Sequence, residues 1–251
     1  MKRLMWQFEW QDIEFRKLGV KLKFFNRASA DFYSTFYKEL FYRYAGYDDL
    51  PKNWRDEKYK TAKSIAQFLK GKKKIMSVGC GLGYIEKCLV ELKPRCHIDA
   101  YDFSMDASLW LHSVEGIRVI QELEKGDKYD FIYCTQLLYA LTDKEIYDFA
   151  VFLRSVLDNN AVFLTVDTSV DNRENGIVTA LKGRIKQEIS FFFSPVYYFL
   201  RRKHKAQFWG WTRDNSALIR IFREAGFDVD NSFSAVGQSF LVFRIPQSRD
   251  L

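Results

Sequence analysis

The sequence predicts an α/β fold in which a mostly parallel sheet carries helices on both faces, and three observations support that expectation. From residue 75 onward, short apolar runs alternate with segments of helical periodicity, the rhythm of strand–helix–strand units with right-handed crossovers. The run 75–78 leads directly into Gly79-Cys80-Gly81-Leu82-Gly83. A helical pattern then starts at Tyr84, so a strand, a tight turn and a helix N-terminus follow one another. A second strand pattern ends on a carboxylate, Asp102, at the edge where ligands of such sheets lie.

The elements can be read in order. Residues 1–71 show helical periodicity and no strand alternation, with aromatics dense over 31–44 and an amphipathic stripe over 56–69 that Gly71 ends. This portion is expected to be a helical N-terminal cap over a main domain of residues 72–251. Within that domain the expected strands are 75–78, 97–101, 116–120, 129–134 and 161–166. Helices are expected at 84–92, 105–112 and 144–157. A turn at Asp158-Asn159-Asn160 precedes the fifth strand. Residues 170–210 break the rhythm as an insertion. It resumes with a helix over 214–225, closed by Gly226, and strands at 227–233 and 239–245.

Composition limits the function classes. With 251 residues, 47% apolar and 28% charged, the chain is globular and long enough for one sizeable core. The net charge of +7 is concentrated: residues 182–205 hold seven cations and one acid, Glu188. Four cysteines without C-x-x-C pairing or metal-ligand spacing point to reduced thiols and a cytoplasmic setting. The first ten residues lack the apolar core of a secretory signal, and the apolar stretch 189–200 is too short to span a bilayer as a helix.

The glycine spacing is G-x-G-x-G, with Tyr84 where a dinucleotide fingerprint would need its last glycine one place later. That spacing disfavours a nicotinamide-dependent oxidoreductase. With Asp102 suited to accept ribose hydroxyls, and with the strand order above, the chain resembles the class I S-adenosylmethionine-dependent methyltransferases over about residues 72–245. The resemblance implies a Rossmann-like seven-stranded methyltransferase sheet whose last strand is antiparallel, with S-adenosylmethionine as cofactor. It assigns Gly79, Cys80, Gly81 and Gly83 to the methionine portion of the cofactor, Asp102 to the ribose and Phe103 to the adenine. Gln121 and Glu122 are the nearest matches to the acid that binds the adenine amino group. Thr135 and Gln136, beyond the fourth strand, are expected to face the transferred methyl group. There are departures: Ser77 stands where the family has an acid beneath the glycine turn, and Ala140 stands where many relatives carry a histidine. No D/N-P-P-Y/F or Pro-Cys sequence of base methylation is present, which disfavours a nucleic-acid substrate.

Methyl transfer from a sulfonium needs alignment, and for some acceptors a base. Asp167, at the end of the fifth strand, is the candidate base, against the alternative of a loop acid capping Thr168 or Ser169. His204 lies in a charge run and reads as exposed. The insertion is rich in aromatics between its cations, and Trp209, Trp211 and Arg213 follow it as candidate substrate contacts. It suits a substrate lid, or a dock on an anionic membrane surface from the inner face. The expected reaction is O-methylation of a glycan, on a lipid-linked or surface-polysaccharide precursor, or of another small polar acceptor. The alternative is a catalytically silent member acting as a partner-binding or regulatory subunit.

Overall fold

The structure, a computed structural model, describes residues 2–123, 128–167 and 205–246. Its centre is a seven-stranded sheet made of β4 (Lys74–Val78), β5 (His97–Tyr101), β6 (Ile117–Ile120), β7 (Tyr129–Thr135), β8 (Leu157–Asp167), β10 (Asp228–Ala235) and β11 (Gln238–Arg244). The spatial order is β10-β11-β8-β7-β4-β5-β6. β11 runs antiparallel to both of its neighbours, as the resemblance implies, and the other pairings are parallel, as the strand rhythm predicts. Chain order reverses between β4 and β7, and the crevice at such a switch point is where open α/β sheets bind ligands.

Period-two alternation sorts the strand side chains to two faces. Met76, Val78, Ile132 and Phe163 pack under α4 (Asp143–Val156) and α5 (Asn215–Glu224). Ile75, Phe131, Tyr133 and Leu164 pack under α2 (Lys52–Ala66) and α3 (Tyr84–Leu92). Local chemistry fixes the helix starts. Thr142 and Glu145 form a reciprocal capping box on α4, and Asp214 caps α5 by accepting from the Ala217 backbone N–H. The helix expected over 105–112 is a 3-10 segment, Met105–Ser113.

Three expectations need correction. The N-terminal portion does contain α1 (Ala30–Arg43) and α2, but residues before them form the short strands β1 (Lys2–Gln7), β2 (Glu9–Trp10) and β3 (Ile13–Glu14). β1 pairs antiparallel with β9 (Gln207–Arg213), a partner at the far end of the chain that no local pattern reveals. Secondly, α2 lies on the sheet face beside α3 and belongs to the main layer, not to a separate cap. Thirdly, Asp158-Asn159-Asn160 are exposed residues within the span of β8, at the place where its register against β7 shifts between the pairs Tyr129–Leu157 and Phe131–Val162.

A third apolar cluster explains the aromatic excess. Phe15, Phe32, Phe36, Tyr37 and Leu40 are buried together, with Trp10, Trp110 and Trp209 packed against them. Phe15 stacks on Trp209 at 5.5 Å and meets Phe32 edge-on at 5.0 Å. The N-terminal segment and β9 thus form one aromatic layer over the carboxyl edge of the sheet. Among the described residues, no helix is long and apolar enough to cross a membrane. The basic run 182–205 and the lid and membrane expectations placed on it lie, but for Lys205, outside the described residues.

Gly210 sets the fit between β9 and the loop after β7. Its φ is +145°, and a side-chain carbon there would overlap the Tyr139 carbonyl, which is backbone and cannot swing away. Gly210→Ala should therefore cost about 3 kcal/mol or more, read as a lowered midpoint in thermal or denaturant unfolding.

Candidate functional site

The turn after β4 shows why glycine is needed there. Gly83 has φ +74° and caps α3, and a side-chain carbon on it would sit inside Leu111. Gly81 has φ +53°, and its empty side faces the Tyr37 hydroxyl, 3.7 Å from where a side-chain carbon would stand. Backbone N–H groups of Gly79 and Cys80 both donate to the Tyr101 carbonyl, at 2.8 and 3.1 Å. Asp102 completes the link: one carboxylate oxygen accepts from Gly81 N–H and the other from Ser104 N–H, each at 2.9 Å. Each oxygen keeps a further lone pair for a ligand hydroxyl. Burial pushes the Asp102 carboxyl above its ordinary range, against the pull of those two N–H donors.

These residues line one end of a cavity of about 1210 Å3. Gly79, Cys80, Gly81, Gly83, Asp102 and Phe103 share it with Thr135, Gln136 and Trp209. Sequence reasoning placed all nine at the site, and the fold brings them together. Gln136 has the non-glycine positive φ of +52°, a backbone strain held by its N–H bond to the Val166 carbonyl. The roof is supplied by residues the sequence did not single out. Tyr33 and Tyr37 come from α1, and Tyr139 from the loop after β7. Burial raises all three phenols, Tyr33 to about 12, so they enter as neutral donors. Tyr47 also donates to the Leu82 carbonyl at 2.7 Å, fastening the glycine turn from the N-terminal side. Helical periodicity marks these aromatics as buried but cannot say against what.

Five expected site residues stand elsewhere. Gln121 and Glu122 line a neighbouring 300 Å3 pocket with Arg118 and Tyr129, and Leu123 lines both that pocket and the main cavity. Asp167, Trp211 and Arg213 surround a void of about 30 Å3 behind Gln136 and Tyr139. Arg213 is a structural anchor, not a substrate contact. Its guanidinium, 2% exposed, donates to the carbonyls of Leu138 at 3.0 Å and Leu141 at 2.6 Å and pairs with Asp143 at 2.7 Å. Trp211 packs edge-on against Phe208, with Lys2 over its ring at 4.8 Å. Asp167 accepts from the Thr165 hydroxyl at 2.6 Å, and its buried Oδ1 has no partner among the described residues. Burial lifts its pKa to about 6. No histidine is among the described lining residues of the main cavity.

Beneath the turn, Ser77 is one member of a buried trio. The Ser77 hydroxyl donates to Glu86 Oε1 at 2.6 Å, and the Tyr133 hydroxyl donates to the same oxygen at 2.8 Å. The carboxyl absent from position 77 is thus present, but supplied by α3. Burial pushes its pKa upward.

A family model described as a methyltransferase domain matches residues 52–232. The chain belongs to that family. None of the curated proteins matches the sequence. Among solved structures, human N-acetylserotonin methyltransferase in complex with S-adenosylmethionine aligns with TM-score 0.59 at 16% identity, covering 87% of this chain and 57% of that one. CalO1, a methyltransferase of calicheamicin biosynthesis in its S-adenosylhomocysteine-bound form, aligns with TM-score 0.58 at 14% identity, covering 87% and 59%. The mitomycin 7-O-methyltransferase MmcR aligns with TM-score 0.57 at 13% identity, covering 76% and 54%. At these identities the likeness establishes a shared fold, and the chain spans less than two thirds of the length of these proteins.

Two outcomes follow for the residues around the small void. Arg213→Ala removes the guanidinium donors from the Leu138 and Leu141 carbonyls, of which Leu138 keeps the Leu141 N–H, and leaves Asp143 without its buried partner, so it should destabilise the chain by about 2–4 kcal/mol. Arg213→Lys should recover little of that loss in a thermal melt, since one ammonium cannot reproduce the fork. The Asp167 carboxyl keeps its proton to about pH 6 in the folded chain against 3.8 for the ordinary group, so folding loses stability as pH rises between those values. Asp167→Asn should therefore raise the melting temperature at pH 7.5, by about 1–2 kcal/mol of stability. At pH 4 the variant and the parent should melt together.

Proposed function

We propose that this chain is an S-adenosylmethionine-dependent methyltransferase that acts on an oxygen of a small acceptor with a planar, partly apolar body. The observation that supports this most is the single cavity joining the glycine turn and Asp102 to an aromatic-walled region. Its volume of about 1210 Å3 exceeds the roughly 300–1,000 Å3 usual for one ligand, leaving room for cofactor and acceptor together. The residues fit the cofactor: Asp102 has free acceptor capacity, and the left-handed turn presents backbone instead of side chains. When bound, S-adenosylmethionine supplies an electrophilic methyl group on a sulfonium.

The chain's own residues would act by alignment and exclusion of water. Thr135 and strained Gln136 sit at the carboxyl ends of the central strands, and Tyr33, Tyr37 and Tyr139 close the space above. With Asp167 behind the wall, the described lining residues act by positioning. Oxygen as the acceptor atom is supported by a neighbour named as a 7-O-methyltransferase. The membrane expectation belongs to residues 182–205 and the glycan expectation to the insertion 170–210 with Trp209 and Trp211; the described wall is aromatic and favours a flatter acceptor.

Calorimetry with S-adenosylhomocysteine tests the reading. The purified chain should bind it, and Asp102→Ala should weaken binding by about ten- to a hundredfold. No binding by the parent protein would reject the enzyme in favour of a silent member of the fold. Tight NADH binding would instead favour an oxidoreductase.

A further inference from the structure

The end of the cavity away from Asp102 holds a cation that the cofactor reading leaves unused. Trp54, Glu57 and Lys58 reach it from α2, Tyr84 from the start of α3, and Gln238 from the start of β11. In the strand order, β11 and β5 lie on opposite sides of β4, so this end is distinct from the ribose end.

Lys58 and Arg27 are the two cations among the described lining residues. Arg27 is fully engaged, donating to the Ala140 carbonyl at 2.9 Å and to Glu145 at 2.7 Å. Lys58 is not. Its ammonium lies 3.8 Å from Glu57 Oε1, beyond hydrogen-bond range, and that oxygen already accepts from Gln238 Nε2 at 3.2 Å. The Lys58 side chain is 16% exposed whereas Glu57 is 48% exposed, so the cation is withdrawn from water and its counter-ion is not. Burial lowers the Lys58 pKa, consistent with incomplete compensation. The ammonium stands 5.8 Å from the centre of the Trp54 ring. A half-desolvated ammonium with unused donors, beside an aromatic face in a cavity wall, suits an anionic oxygen group on a planar molecule.

We propose that Lys58 anchors the acceptor subsite by binding a carboxylate on a planar acceptor whose ring lies against Trp54. The proposal rests on the methyltransferase reading for calling this ligand the acceptor. The anion-binding property itself does not depend on that reading.

The test uses 2-naphthoate and its neutral counterpart 2-naphthamide as probes, titrated by calorimetry with and without saturating S-adenosylhomocysteine. The parent protein should bind the carboxylate about tenfold more tightly than the amide, the effect of one charge-assisted contact. Lys58→Met and Lys58→Gln should abolish that preference, and Lys58→Arg should keep most of it. Affinity for S-adenosylhomocysteine should stay within about twofold in every variant that melts cooperatively, as expected for a site apart from the cofactor. Equal affinity for the two probes, no binding of either, or a preference that survives both Lys58→Met and Lys58→Gln would overturn the proposal. Failure of S-adenosylhomocysteine to bind the parent, with the carboxylate preference intact, would instead remove the cofactor reading and leave the anion site standing.

Discussion

The hydrogen bond from the Gly81 backbone to the Asp102 carboxylate is the constraint on which the site depends. It ties the turn after β4 to the end of β5, and the Gly79 and Cys80 bonds to the Tyr101 carbonyl reinforce the same seam. The glycines make that geometry accessible, since side chains rarely adopt the left-handed backbone of this turn. One carboxylate therefore shapes the loop and retains the lone pairs that a ligand would use. Its burial raises the cost of its charge, which the two backbone donors offset.

The rest of the cavity is a matter of closing chain ends over that turn. Pairing of β1 with β9 brings the first residues beside the segment that follows the insertion. Aromatic contacts among Phe15, Phe32, Phe36 and Trp209 make the pair a roof. Two arginines pin it from opposite sides. Arg27 holds the roof to the start of α4, and Arg213 holds the loop 138–141 by its carbonyls. Both work through forked donors, Arg213 on two backbone oxygens and Arg27 on one backbone oxygen and the Glu145 carboxylate, a task for which a lysine is poorly shaped.

The departure at Ser77 turns out to be a relocation. Ser77 leaves a gap under the turn that Glu86 fills from the neighbouring helix, with Ser77 and Tyr133 as its donors. After β6, Gln121 and Glu122 line a neighbouring pocket, and Leu123 lines both that pocket and the main cavity. An acid at a given sequence position is thus a poor guide to where its carboxyl acts, because a side chain reaches across elements that the sequence separates.

Residues 74–101 show how much was legible in the sequence. There the strand, turn, helix and second strand follow from apolar runs and glycine spacing, because each depends on contacts within a few residues. The family resemblance carried Asp102 and Phe103 to the cavity, and the rule that ligands lie beyond the carboxyl ends of such strands carried Thr135 and Gln136 there. What the sequence alone could not settle were the long-range choices. The β1–β9 pairing, the burial of Arg213 and Asp167 behind the wall, and the arrival of Tyr33, Tyr37 and Lys58 at the cavity all join segments far apart in the chain. Periodicity tells which face of an element is buried, but not which partner buries it. Sequence thus determined the methyltransferase family and the cofactor end. Tertiary packing decided the shape and charge of the rest of the cavity, since only the folded chain brings those side chains within reach of one another.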